Sequence, residues 1–180
     1  MSKLHYILGL LFAGIAIFVA IGFAFSGRAG AESLSDAQVS HIKSECAQIK
    51  GSLSQLHASD ALLRVNRGQA YESMASKLMN PFNSRLSTNG FDNRAMLTHT
   101  NQYKESLDNF RLSYISYEQK ISEALKIDCQ KKPVEFYDSI IKARELRKSV
   151  HDNVEKMNRI IADYRTSVGD FLLNYKRLAE

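Results

Sequence analysis

The sequence predicts an all-α protein, with an N-terminal transmembrane helix followed by an elongated antiparallel three-helix bundle or coiled coil. Three observations lead there. An apolar seam recurs with a half-heptad spacing through the last stretch, Pro133 to Glu180. Only two prolines, Pro81 and Pro133, punctuate the chain, and neither interrupts a periodic run. The two cysteines, Cys46 and Cys129, come level when the rods are folded back on one another.

The seam of the third rod, 133–179, runs Phe136, Ile140, Ala143, Arg147, Val150, Val154, Met157, Ile161, Tyr164, Val168, Phe171, Tyr175, Leu178. Its steps alternate between four and three, and Arg147 alone is neither apolar nor aromatic. Such a period, about 3.5, keeps one narrow face turned to a partner helix, the pattern of a left-handed coiled coil.

At the other end, Leu4 to Phe25 is an unbroken run without Asp, Glu, Lys or Arg. As a helix it is roughly 33 Å long, enough to cross a hydrocarbon core of about 30 Å. A cleaved signal peptide is the rival reading, since Lys3 supplies a basic start and Ala29-Gly30-Ala31 has the form of a cleavage site, which would leave the domain secreted. The apolar run exceeds the roughly 7–15 residues usual in a signal. The expectation is therefore a signal-anchor over 1–25, contacting the membrane through 4–25, with a linker at 26–34 and an extracytoplasmic domain at 35–180. The orientation places the N-terminus in the cytoplasm. Ala16, Ala20 and Ala24 form a small-residue ridge on which a homodimer could pair.

Composition narrows the function. The formal charge is +5, and the signs are interspersed along the helices. That is a solvated surface and not the basic stripe of a nucleic-acid binder. No asparagine stands in an Asn-x-Ser/Thr context, which favours a bacterial envelope over a glycosylating pathway.

The first rod is expected over 35–79. Ser35 and Gln38 have the form of a capping box. Val39, Ile42, Cys46, Ile49, Leu53 and Leu56 then step by three and four; Asp60 falls on the seam, Leu63 resumes it, and Ala70, Met74 and Leu78 carry it on. Asn66, Arg67 and Gly68 soften the middle, glycine costing roughly 1 kcal/mol against alanine there. Asn80–Asp92 reads as the break, because Pro81 disfavours helix at Asn80 and Asn89-Gly90 is a turn pair. The second rod, 92–127, carries Met96, Thr100, Tyr103, Leu107, Phe110, Tyr114, Tyr117, Ile121 and Ala124. Pro133 suits the first turn of the third.

Folding the first two rods antiparallel gives a ruler. The arm from Cys46 to Met79 and the arm from Asp92 to Cys129 differ in length by about one helical turn. That agreement predicts a Cys46–Cys129 disulfide worth roughly 4–5 kcal/mol in the chain-entropy model. Export permits it. The same ruler sets Asp60 opposite Arg147, because Asp60 lies as far along the chain from Cys46 as Arg147 does from Pro133. A register-setting pair is suggested. The ruler also leaves Val168–Glu180 extending beyond the turn. Phe171, Leu172, Tyr175 and Leu178 then need cover, from Phe82, Leu86 and Phe91 of the 80–92 segment or from another chain. These seven are the candidate partner-binding residues.

No constellation of catalytic chemistry is visible. The histidines, His5, His41, His57, His99 and His151, are scattered, and no metal-ligand spacing, phosphate loop or nucleophile elbow occurs. The sequence therefore predicts no enzyme, no cofactor and no catalytic or metal site. The expected function is a membrane-anchored helical interaction or scaffold protein that presents its distal loop and C-terminal helix end to a protein partner in the cell envelope. The alternative is a ligand-sensing bundle with a small-molecule cavity at the soft 66–68 region.

Overall fold

The computed structural model describes residues 34–179, with side chains through residue 177; the predicted span at 4–25 and its alanine ridge lie outside them. Among the described residues there is no strand, and no helix is long and apolar enough to cross a membrane. Asp36–Glu180 forms one unit. Its helices are α1 (Asp36–Ser44), α2 (Cys46–Ser73), a π-helical segment (Met74–Met79), α3 (Asn80–Thr88), α4 (Arg94–Lys126) and α5 (Pro133–Ala179).

The first four pieces make one rod. At Glu45 the helical bonding continues, since the Glu45 amide donates to His41 and its carbonyl accepts from Ile49. The helix begins at Asp36, directly after the serine of the predicted capping box.

The rod does not stop at Met79, contrary to the expectation from Pro81. It runs on to Thr88, and the break shrinks to the turn around Asn89-Gly90, where Gly90 takes φ 73°. The π-helical segment explains the difference. A proline inside an α-helix removes one amide donor and drives its ring against the carbonyl one turn back. Here the Asn80 amide reaches beyond the usual α-helical acceptor to the Ala75 carbonyl, so the backbone is already wound wider when Pro81 arrives at the start of α3. One π turn thus absorbs the proline and the helix continues.

The buried face of the rod also departs from the counted seam. The sequence pattern places Leu63, Ala70 and Leu78 on the seam; all three are exposed. The inward line is Asp60, Arg64, Gly68, Tyr71, Ala75 and Met79, with steps mostly of four. A helix drifts by about 20° per heptad against a strict coiled-coil repeat, and the steps of four at Asp60, Arg64 and Gly68 show that drift before the π segment begins. The seam of α4 survives, with Met96, Thr100, Tyr103, Leu107, Phe110, Tyr117, Ile121 and Ala124 all buried. In α5 the seam widens, taking in Ser139 and Ile160 beside Phe136, Ala143 and Met157.

Packing follows from this asymmetry. Helices α4 and α5 lie tightly together, and the first rod lies over their groove with fewer close backbone approaches. Three apolar clusters fill the bundle. Cys46, Cys129 and Phe136 sit at one end, and Tyr117, Ile121 and Ala143 lie next. Met79, Tyr103, Leu107, Phe110 and Met157 form the largest cluster, beside the π turn. The predicted disulfide joins Cys46 to Cys129, with Cα atoms 5.6 Å apart and a sequence separation of 83.

Above the largest cluster Asn83 is buried and fully used. Its amide donates to Thr100 Oγ1 at 2.8 Å, its side-chain oxygen accepts from the Tyr164 hydroxyl at 2.9 Å, and its backbone carbonyl accepts from the Asn93 amide at 2.7 Å. One residue thereby ties α3 to α4, α5 and the turn. A buried polar group held this way fixes register, because removing it leaves several partners without a bond.

Two outcomes follow. Denaturant titration with and without reductant should show about 4 kcal/mol of stability lost on opening the disulfide, because it closes a long loop. A loss below about 1 kcal/mol would contradict a register set at that end. Asn83→Ala should cost about 2–3 kcal/mol, read from the same titration.

Candidate functional site

The described residues offer two places where side chains converge without being consumed by the core. One is the end of the bundle remote from the disulfide. The other is a groove halfway along the first rod.

At the remote end, α5 outlasts the first rod by less than the sequence predicts, because α3 lengthens that rod. Phe91, just after the turn, lies edge-on to Phe171 and Tyr175 with ring centres 5.4 and 5.6 Å apart. Phe82 meets Phe171 edge-on at 6.3 Å, and Phe171 stacks on Tyr175 at 6.1 Å. Of the seven predicted partner residues, then, Phe82 and Phe171 are half-buried, and Leu86 is buried and forms the support beneath them. Phe91, Leu172 and Tyr175 remain exposed; the side chain of Leu178 lies outside the described set. Leu173, which the seam pattern passes over, is exposed as well: it is 58% accessible and Leu172 49%. An open hollow of about 650 Å³ adjoins the patch, lined by Phe91, Arg94, Met96, Asp170, Phe171 and Tyr175 among others. Asp92 accepts the Arg94 amide at 3.1 Å and pairs with its guanidinium at 2.7 Å, which holds its carboxyl down to about 2. His99 faces Gln102.

Midway along, the Asp60–Arg147 pair exists. Arg147 donates from Nε to Asp60 Oδ2 at 2.7 Å and from Nη2 to Oδ1 at 2.9 Å. Residue counting does not reveal the third member, Tyr117, whose hydroxyl donates to Asp60 Oδ2 at 2.7 Å. Spacing assigns Tyr117 to the apolar seam of α4, where it also sits. Nothing in the heptad distinguishes a seam tyrosine that packs from one that also reaches a carboxylate across the bundle. The pair is not symmetrically buried: Asp60 is 10% exposed and Arg147 49%. The Arg147 guanidinium holds the Asp60 carboxyl below the ordinary range against the opposing effect of burial. Burial and the Asp60 bond together push the Tyr117 hydroxyl up. All three groups keep their neutral-pH charge states, so this is a clamp joining the first rod to α4 and α5, with no group poised to exchange a proton near neutral pH.

Beside the clamp, Arg64, Arg67, Tyr71, Phe110, Tyr114 and Val154 help line a groove of about 310 Å³. It lies at the soft 66–68 region, where the alternative sequence reading places a cavity.

Comparison of the chain with protein-family models, with curated proteins and with solved structures finds no match. The functional argument therefore rests on these sites alone.

The clamp gives a pH signature. A carboxyl depressed in the fold contributes stability that is complete above its unfolded value of about 4 and is lost as pH falls through the lower folded value. Asp60→Asn should lower stability at neutral pH by about 1–2 kcal/mol, a figure reduced for the exposure of Arg147. It should also flatten the stability–pH slope below about pH 4. Parallel slopes for the two proteins would remove Asp60 from the account.

Proposed function

We propose that the chain is a membrane-anchored interaction protein, with residues 4–25 as the anchor and the helical bundle on the extracytoplasmic side, and that it engages a protein partner in the envelope through the end remote from the disulfide. The observation that carries this reading is the exposed pair Phe91 and Tyr175, in edge-on contact over the half-buried Phe82 and Phe171, with Leu172 exposed beside Tyr175 on the same turn of α5. Scattered single apolar residues are normal on a protein surface, whereas aromatic residues concentrated on a rigid support are the composition of a binding hot spot. The support is rigid here because edge-on ring contacts tie α5 to α3 and to the turn. Two further facts fit. The disulfide suits an oxidising compartment, and the uncharged run at 4–25 is long enough to span a bilayer.

The test is a photo-crosslinking residue placed singly at Phe91, Leu172 or Tyr175 of the full chain in its native cell. A defined protein adduct is expected at these positions and not at Lys104, an exposed position on α4. Leu172→Glu should reduce the adduct trapped from Tyr175 at least five-fold with helicity unchanged. Equal adduct patterns at Leu172 and Lys104 would overturn the reading.

A further inference from the structure

We propose that the groove between the first rod and the α4–α5 pair, at Arg64 and Arg67, binds an amphiphilic anion: a short apolar body carrying one carboxylate or phosphate head. The proposal stands apart from the partner surface at the bundle end, and either can fail without the other.

The charge count in the groove is the first ground. Three guanidinium groups, on Arg64, Arg67 and Arg147, face one carboxylate, on Asp60. Asp60 is committed to Arg147 through two hydrogen bonds and accepts a third from Tyr117. Neighbouring carboxylates are also engaged. Glu118 is held by His57 at 2.6 Å, Glu72 by Arg111 at 3.2 Å and Glu155 by His151 at 3.1 Å. Among the described residues, neither Arg64 nor Arg67 has an ion-pair partner. Two cations therefore face the concavity without an ion-pair partner, the Asp60 carboxylate being committed to Arg147.

The second ground is how Arg64 is held. Its guanidinium rests over the rings of Phe110 and Tyr114, 5.8 and 5.6 Å from their centres. Cation–π contact fixes the group in place while leaving its N–H donors available, because a ring face accepts charge but not a directed hydrogen bond. Gly68 leaves room for it: a Cβ at position 68 would meet Arg64 Nη1, the far end of a flexible side chain, which would have to shift. Glycine in a helix interior costs stability, and here the sacrifice has a geometric consequence.

The third ground is size and wall chemistry. At about 310 Å³ the groove is at the lower end of small-molecule sites, and Leu63, Tyr71, Phe110, Tyr114, Val150 and Val154 give it an apolar wall. A bare inorganic anion would leave that wall wet, and a neutral hydrocarbon would leave both guanidinium groups unanswered. One molecule with a head and a short body satisfies both.

The experiment is titration calorimetry on the full chain in lipid nanodiscs, with empty nanodiscs as blank. The probes are 4-phenylbutyrate, 4-phenylbutyl phosphate, the neutral 4-phenylbutanol, acetate and inorganic phosphate. Saturable binding is expected for at least one of the two amphiphilic anions, at least ten-fold tighter than the alcohol and than either head alone; the two anions compared identify the preferred head. Arg64→Gln and Arg67→Gln should each weaken that binding at least five-fold with the thermal midpoint unchanged. Arg64→Lys should bind more tightly than Arg64→Gln. The proposal is overturned if neither anion saturates at concentrations on the order of 1 mM. It is equally overturned if the alcohol binds as well as the anions, or if the Arg64→Gln/Arg67→Gln double variant binds like the parent.

Discussion

The first rod depends on being pinned, since burial alone holds it only weakly. Within Cys46–Ser73, among the described residues, only Cys46 and Gly68 are buried, whereas α4 buries a continuous seam. The disulfide therefore carries a burden that apolar packing carries elsewhere in the molecule. It fastens the rod at one end to the connection between α4 and α5, and every cross-bundle contact further along inherits its register.

Those further contacts are largely polar and recur along the rod. Lys50 donates to the Ile127 carbonyl at the end of α4, His57 meets Glu118, Asp60 meets Arg147 and Tyr117, and the Tyr103 hydroxyl reaches the Tyr71 carbonyl. Each bond is directional, so a slip of the rod by one turn would break all of them together. Polar ties of this kind add modest net stability and much more discrimination between registers. Ile49 and Leu53 pack only partly buried near the disulfide, and full apolar burial returns past Tyr71, where Ala75 and Met79 enter the main cluster and Asn83 locks the end.

A rod held by ties leaves space between them. The groove at Arg64 lies between the Asp60 clamp and the apolar closure at Ala75, where the rod stands over α4 and α5 on the aromatic rings of Phe110 and Tyr114. The exposed patch at the far end has a related origin. The last turns of α5 have a single aromatic layer from α3 and the turn against their Phe171–Tyr175 face, and Leu172 and Leu173, on other faces, remain uncovered.

Periodicity by itself determined the helical class, the seam of α4, the start of α5 at Pro133 and, through the ruler of residue counts, the disulfide and the Asp60–Arg147 pair. These were legible because the rise per residue is constant, so positions in two antiparallel rods can be matched by counting. Tertiary structure decided what counting cannot carry. Pro81 is a helix breaker by local rules, and only the buried surroundings of Ala75, Met79 and Asn83 make a π turn and a continued helix preferable to a loop. The drift of a straight helix against a strict heptad turned Leu63 outward and Arg64 and Gly68 inward before that turn is reached. The continued helix carried Phe91 up to Phe171 and Tyr175. Local propensity acts over one turn of chain, and the choice between a break and a bulge rests on contacts made by residues far away in sequence.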